Sequence, residues 1–162
     1  LNANMQMIST LESISTAFKQ TSVTNASGLI GKRIENGSTR ADGTSKAYTV
    51  NSIENKDGVL TVKASEWLYY YNSIQMNDGG KITTAAYDEQ GNLYNEKGEK
   101  TGETLVLEGL GKPAVDANGK LKIKDKDGKE LSSHNYELGG KDKIVTSSET
   151  TDIPFSSITK IS

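Results

Sequence analysis

The 162-residue chain has no cysteine, two prolines, a single histidine (His134), a single tryptophan (Trp67) and two phenylalanines. Lack of cysteine excludes disulfide staples, thiolate metal sites and cysteine nucleophiles together. One histidine removes most of the usual metal and general-base arrangements. An excess of one charge is missing too. Nineteen basic residues face 21 acidic ones, for a net charge of −2, so there is no basic field to hold a phosphate backbone, and nucleic-acid binding is not expected. No apolar run approaches the roughly 20 residues that span a bilayer. No cleavable signal pattern opens the chain, and no membrane insertion is expected. Because the first residue is Leu1, a further upstream segment is expected. None of the 16 glycines makes the Walker or dinucleotide spacing. Apolar residues make up 33% of the chain, a lean content that suits small β domains sharing surface with partners better than one large core.

What is present begins with a helical pattern. From Asn2 to about Gln20, apolar residues fall at Met7, Leu11, Ile14 and Phe18, with Met5 and Ile8 on the flank. This heptad-like seam predicts an amphipathic helix. Ser9, Thr10, Ser13, Ser15 and Thr16 lower its intrinsic propensity, so it needs a surface to lie on. Two readings stay open: docking on its own domain, or contact with another subunit. Thr21 to Ser27 reads as a polar linker.

Beyond Ser27 the pattern changes to short β runs between turn signals such as Asn36-Gly37, Asp57-Gly58, Asp78-Gly79-Gly80, Gln90-Gly91-Asn92, Asn118-Gly119 and Asp127-Gly128. Ala47–Ile53 reads as a strand with Tyr48, Val50 and Ser52 on one face and Ala47, Thr49, Asn51 and Ile53 on the other. It is expected to form a hairpin with Val59–Lys63. Further strands are expected at Lys81–Asp88, Glu103–Glu108, Lys120–Lys124, His134–Leu138, Lys141–Val145 and Phe155–Ile161. Strands at this spacing without helices between them argue for sandwiches or small barrels. Trp67, Tyr69, Tyr70 and Tyr71 form the densest aromatic cluster. Such rings could stack on sugars or bases, but alternate rings of one strand packing two sheets together is the simpler expectation.

Chemistry is sparse. Ser132-Ser133-His134-Asn135 lacks a nucleophile elbow, and His134 reads as a surface residue of a turn or strand. The pairs Asp88/Glu89, Asp125/Asp127 and Glu149/Asp152 sit among lysines and turns, where solvated charge is the default. Asp125-Lys126-Asp127-Gly128 resembles the start of a calcium loop, but the twelfth position is Tyr136 where a bidentate glutamate is needed. No enzyme activity, metal or cofactor is expected.

Two stretches resemble the bacterial flagellar hook-cap family, the hook-assembly scaffolds. Gln6–Ile14 is similar to the helix that ends that family's secreted N-terminal region. After a serine- and threonine-rich spacer, Leu29-Ile30-Gly31-Lys32 is similar to the motif that opens its core. Ile82–Leu93 is similar to its strand followed by Asp-x-x-Gly. Ala117–Lys129 lies where the family carries a Trp-Asp-Gly signature, and the tryptophan is absent here. The resemblance implies a mainly β chain: an N-terminal helix and linker (1–26), a discontinuous Tudor-like small β-barrel (27–64 plus 149–162) and an inserted fibronectin type III-like β-sandwich (65–148). It also implies a non-enzymatic, exported, homo-oligomeric cap at the distal end of the growing hook, which guides polymerisation of hook protein subunits. Met7, Leu11, Ile14 and Phe18 would serve self-association, and the loops 36–45 and 91–102 would face partners. The alternative is a carbohydrate-binding or adhesin module of a bacterial surface protein, suggested by the aromatic run Trp67–Tyr71.

Overall fold

The computed structural model describes residues 27–139 and 144–162. In chain order the strands are β1 (Arg33–Glu35), β2 (Tyr48–Lys56), β3 (Val59–Trp67), β4 (Tyr69–Asp78), β5 (Lys81–Tyr87) and β6 (Asn92–Tyr94). They continue as β7 (Lys100–Leu105), β8 (Leu107–Glu108), β9 (Lys112–Pro113), β10 (Ile123–Lys124), β11 (Tyr136–Leu138), β12 (Thr146–Pro154) and β13 (Lys160–Ile161). The chain is mainly β, its antiparallel sheets are curled, and they include a half-barrel. The expected N-terminal helix lies outside the described residues. So do residues 141–143 of the strand expected at Lys141–Val145.

Two compact units share the chain. Unit 1 is assembled from the described residues 27–38, 45–66 and 150–162, and unit 2 from 39–44 and 67–149. Unit 1 holds a five-stranded sheet in the order β12-β3-β2-β1-β13. Its core gathers Ile34, Tyr48, Val50, Ile53, Val62, Ala64, Ile153, Phe155 and Ile158. Ile53 does not lie opposite Val50, as strict alternation requires. A bulge between Val50 and Ser52 leaves Asn51 unpaired and returns Ile53 to the buried face. The Asn51 amide then donates to the Ser65 hydroxyl at 2.6 Å. At the chain's end, Phe155–Ser157 forms a 3-10 turn rather than strand, and only Lys160–Ile161 pairs, antiparallel to β1. Ser162 and Arg33 exchange backbone hydrogen bonds at 2.9 and 3.2 Å beyond that pair. β12 was not anticipated, because Thr146–Asp152 carries no apolar residue. It lies at the sheet edge, where Thr and Ser satisfy the backbone's preference without a core to fill.

Unit 2 holds a six-stranded sheet in the order β10-β7-β6-β5-β4-β11, a meander flanked by two short edge strands, and the small β8–β9 ribbon. Tyr69, Ile74, Ala85, Tyr87, Leu93, Leu105, Leu121, Ile123 and Tyr136 form its main core. Successive side chains of a strand point to opposite faces. Ala86 and Tyr94, paired across β5 and β6, therefore face away from Tyr87 and Leu93 and meet Leu68 and Val145 instead. Trp67 ends β3 while Tyr69 opens β4, and these strands belong to different sheets. The aromatic cluster is thus divided between strands rather than carried on one.

Candidate functional site

Met7, Leu11, Ile14 and Phe18 lie outside the described residues. The Leu29–Lys32 motif can be placed. Ser27–Leu29 forms a 3-10 turn, and Leu29 packs against the core of unit 1. Gly31, at φ 85°, donates its N–H to the Val50 carbonyl at 2.8 Å, and the Val50 N–H returns to the Lys32 carbonyl at 3.0 Å. The motif therefore feeds the chain into β1 in register with β2. Ile30 is half exposed at the surface of this turn.

Two of the acidic residues singled out above, Asp88 and Asp125, build turns, and Asn95 and Asp116 do the same. Asp88, Asn95, Asp116 and Asp125 each start an Asx-x-x-Gly-x segment of the same geometry. In every copy the glycine N–H donates to the carbonyl of the Asx residue at 3.0 Å. The side-chain Oδ1 accepts the backbone N–H groups two and four residues on, at 2.9–3.1 Å. The carboxylate or amide oxygen satisfies donors that a tight reversal would leave unpaired, and glycine supplies the positive φ. The calcium-like run at Asp125 is one of these turns, with its Oδ1 occupied by Asp127 and Lys129 N–H groups. The Asp-x-x-Gly spacing noted above at Asp88–Gly91 is shared by all four turns, and the same spacing in the sequence is the signal for the other three.

Asp88 differs from the others in being buried. Its Oδ2 accepts from the Tyr94 hydroxyl at 2.8 Å and the Asn92 amide at 2.9 Å, so both oxygens are fully used. Of the other pairs, Asp152 is bridged by Lys56 and Glu149 by Lys100. Within 91–102, Gly91, Leu93, Tyr94 and Gly98 are buried, and Glu96, Lys97 and Glu99–Gly102 face solvent.

Two polar clusters stand inside unit 2. In the first, Arg40 is buried, donates to the Trp67 carbonyl at 2.8 Å and lies 5.1 Å from the centre of the Tyr69 ring. Tyr69 stacks on Tyr87 with centroids 5.1 Å apart and planes 8° from parallel. Burial pushes the Tyr69 phenol up, and the Asp42 charge adds to the effect. Burial also works to raise Asp42, but hydrogen bonds from Thr44 and the Arg40 charge outweigh it and hold that carboxyl below its ordinary value. Arg40, in the middle of a loop expected to face partners, thus anchors residues 39–44 to unit 2.

In the second cluster, His134 is half-buried rather than a free surface residue. Its Nε2 lies 2.6 Å from the Leu121 carbonyl, and its Nδ1 accepts the Tyr136 N–H at 3.1 Å. These partners assign the neutral Nε2–H tautomer. Tyr136 donates its hydroxyl to Glu103 at 3.1 Å, and burial together with the Glu103 charge pushes its phenol up to about 12. Leu121 leads into β10 and His134 into β11, so these bonds tie together the two edges of one curled sheet. With both nitrogens of His134 held by backbone, this cluster is arranged for closure rather than proton transfer.

Among the described residues no helix is long and apolar enough to cross a membrane. No protein-family model, curated protein or solved structure matches this chain.

Proposed function

We propose that this chain is a non-catalytic scaffold of the bacterial flagellar hook cap, exported to the distal end of the growing hook, where it guides polymerisation of hook subunits. The observation that supports the reading best is the pairing of β13 with β1 within unit 1, two strands that the unit 2 residues 67–149 separate in sequence. A discontinuous β unit interrupted by a second β unit is the arrangement that a Tudor-like barrel with an inserted fibronectin type III-like domain requires. The resemblance at Gln6–Ile14, Leu29–Lys32 and Ile82–Leu93 carries the rest of the reading. Self-association belongs to the seam Met7, Leu11, Ile14 and Phe18, whose apolar stripe needs a partner surface.

Deleting the gene should leave cells with basal bodies but no hooks by electron microscopy, and the full-length gene should restore them. Normal hooks in the deletion would overturn the proposal and bring forward the glycan-binding reading, which Trp67 fluorescence against a glycan panel would check. A second expectation belongs to the seam. Replacing Leu11 and Ile14 with aspartate should lower the mass of the full-length protein by light scattering and leave the β units folded; an unchanged mass would refute the seam's role.

A further inference from the structure

Six glycines follow an asparagine or an aspartate: Gly37, Gly43, Gly58, Gly79, Gly119 and Gly128. Such pairs share one latent reaction, because glycine has no side chain to shield its backbone nitrogen from the preceding side-chain carbonyl carbon. The fold treats the six differently. Gly43, Gly119 and Gly128 donate their N–H groups to the carbonyls of Arg40, Asp116 and Asp125 at 2.9, 3.0 and 3.0 Å. Gly58 donates to the Asn55 side chain at 2.8 Å. Among the described residues the Gly37 and Gly79 N–H groups have no hydrogen-bond partner. Gly79 follows an aspartate, and a carboxylate is a far poorer electrophile than a carboxamide. That leaves Asn36-Gly37, at the exit of β1.

The Asn36 side chain is also set for attack. Its Oδ1 accepts the Ser38 N–H at 3.2 Å, which holds the carboxamide over the intervening Gly37 peptide. The same N–H lies where negative charge gathers on the oxygen when a nucleophile adds to Cγ. Asn36 is half-buried and Gly37 exposed, so hydroxide and water reach the pair. Asn118-Gly119 has neither advantage. No donor is bonded to the Asn118 side chain among the described residues, and its glycine N–H is committed to the Asp116 carbonyl.

We propose that Asn36 is a site of spontaneous covalent modification, a backbone-assisted deamidation from which the fold protects Asn118. The Gly37 nitrogen loses its proton to hydroxide and attacks Asn36 Cγ, closing a succinimide ring. The Cγ–Nδ2 bond breaks, and that nitrogen takes a proton from water and leaves as ammonia. Water then opens the ring at either carbonyl, giving aspartate or a β-linked isoaspartate. Nothing is oxidised or reduced. Both products place a new negative charge beside Glu35, and isoaspartate also lengthens the main chain by a methylene. The change falls next to the pairing of β1 with β13. There the Glu35 carbonyl accepts the Thr159 N–H at 2.8 Å, and a Cβ on Gly37 would lie 3.6 Å from the Thr159 side chain. Glu35 itself pairs with Lys160. Deamidation therefore strikes where the last strand closes the unit 1 sheet.

The test holds the full-length protein in mildly alkaline buffer, folded and in denaturant, and follows both asparagines by peptide mass spectrometry. In the folded protein Asn36 should convert about tenfold or more faster than Asn118, a barrier lower by about 1.4 kcal/mol. In denaturant the two rates should draw together, since both asparagines precede glycine. Equal conversion in the folded protein, or faster conversion at Asn118, would overturn the proposal. So would a gap that persists undiminished in denaturant, because local sequence rather than the fold would then set it. The purified isoaspartate form should melt at a lower temperature than the unmodified protein. An unchanged melting temperature would overturn the assigned effect on the closure of β13 against β1.

Discussion

Gly91, Gly98, Gly119 and Gly128 hold the same place in four turns, at φ 87°, 79°, 79° and 82°, yet a methyl group would meet very different surroundings. At Gly119 and Gly128 an added Cβ meets nothing within 4 Å. At Gly91 it would lie 2.2 Å from the Leu105 carbonyl oxygen, and at Gly98 1.8 Å from that of Thr146. Alanine should therefore cost about 1 kcal/mol at Gly119 or Gly128, from the left-handed backbone alone. At Gly91 or Gly98 it should cost roughly 3 kcal/mol or more, because backbone must move as well. Chemical denaturation of the four variants checks the order, and equal losses at all four would refute the packing argument. A positive-φ turn was readable from Asx-x-x-Gly. Which glycines also touch another strand was not, since Leu105 and Thr146 come from elsewhere in the chain.

At the scale of elements, the edges of the unit 2 sheet are joined by side chains rather than by a backbone ladder. Tyr136, on β11, reaches Glu103 on β7, and its phenol is raised from 10.0 to about 12. The folded state therefore keeps a proton that the unfolded chain releases near its ordinary value. The stability tied to this proton is complete below pH 10 and is lost as pH rises from about 10 towards 12. Thermal melts in that window should fall steeply for wild type and less steeply for Tyr136→Phe; identical slopes would show that Tyr136 is not the sensitive group. The β2–β3 hairpin was legible from its two β runs and the Asp57-Gly58 turn between them. The Asn51 bulge and β12 were not, because one is a local shift of register and the other has no apolar pattern to detect.

At the scale of the whole molecule, unit 1 is discontinuous, and β3 and β12 neighbour each other in its sheet. In an antiparallel pair the end of one strand lies beside the start of the other. Replacing residues 67–149 with a glycine-rich linker of about four residues should therefore leave unit 1 folded with a cooperative melt. Loss of that transition would mean that its sheet depends on the inserted segment.

Sequence by itself determined the mainly β character, because closely spaced Asx-Gly and Gly turn signals leave runs too short for helices. It also determined what chemistry the composition excludes, since a chain without cysteine and with one histidine cannot supply those groups. Tertiary structure decided the partners of each polar group: the backbone clasp on His134, the burial of Arg40 and Asp88, and the division of the aromatic cluster between two sheets. Those outcomes depend on contacts between residues far apart in the chain. Local pattern records which groups must be satisfied but not which distant atom will satisfy them.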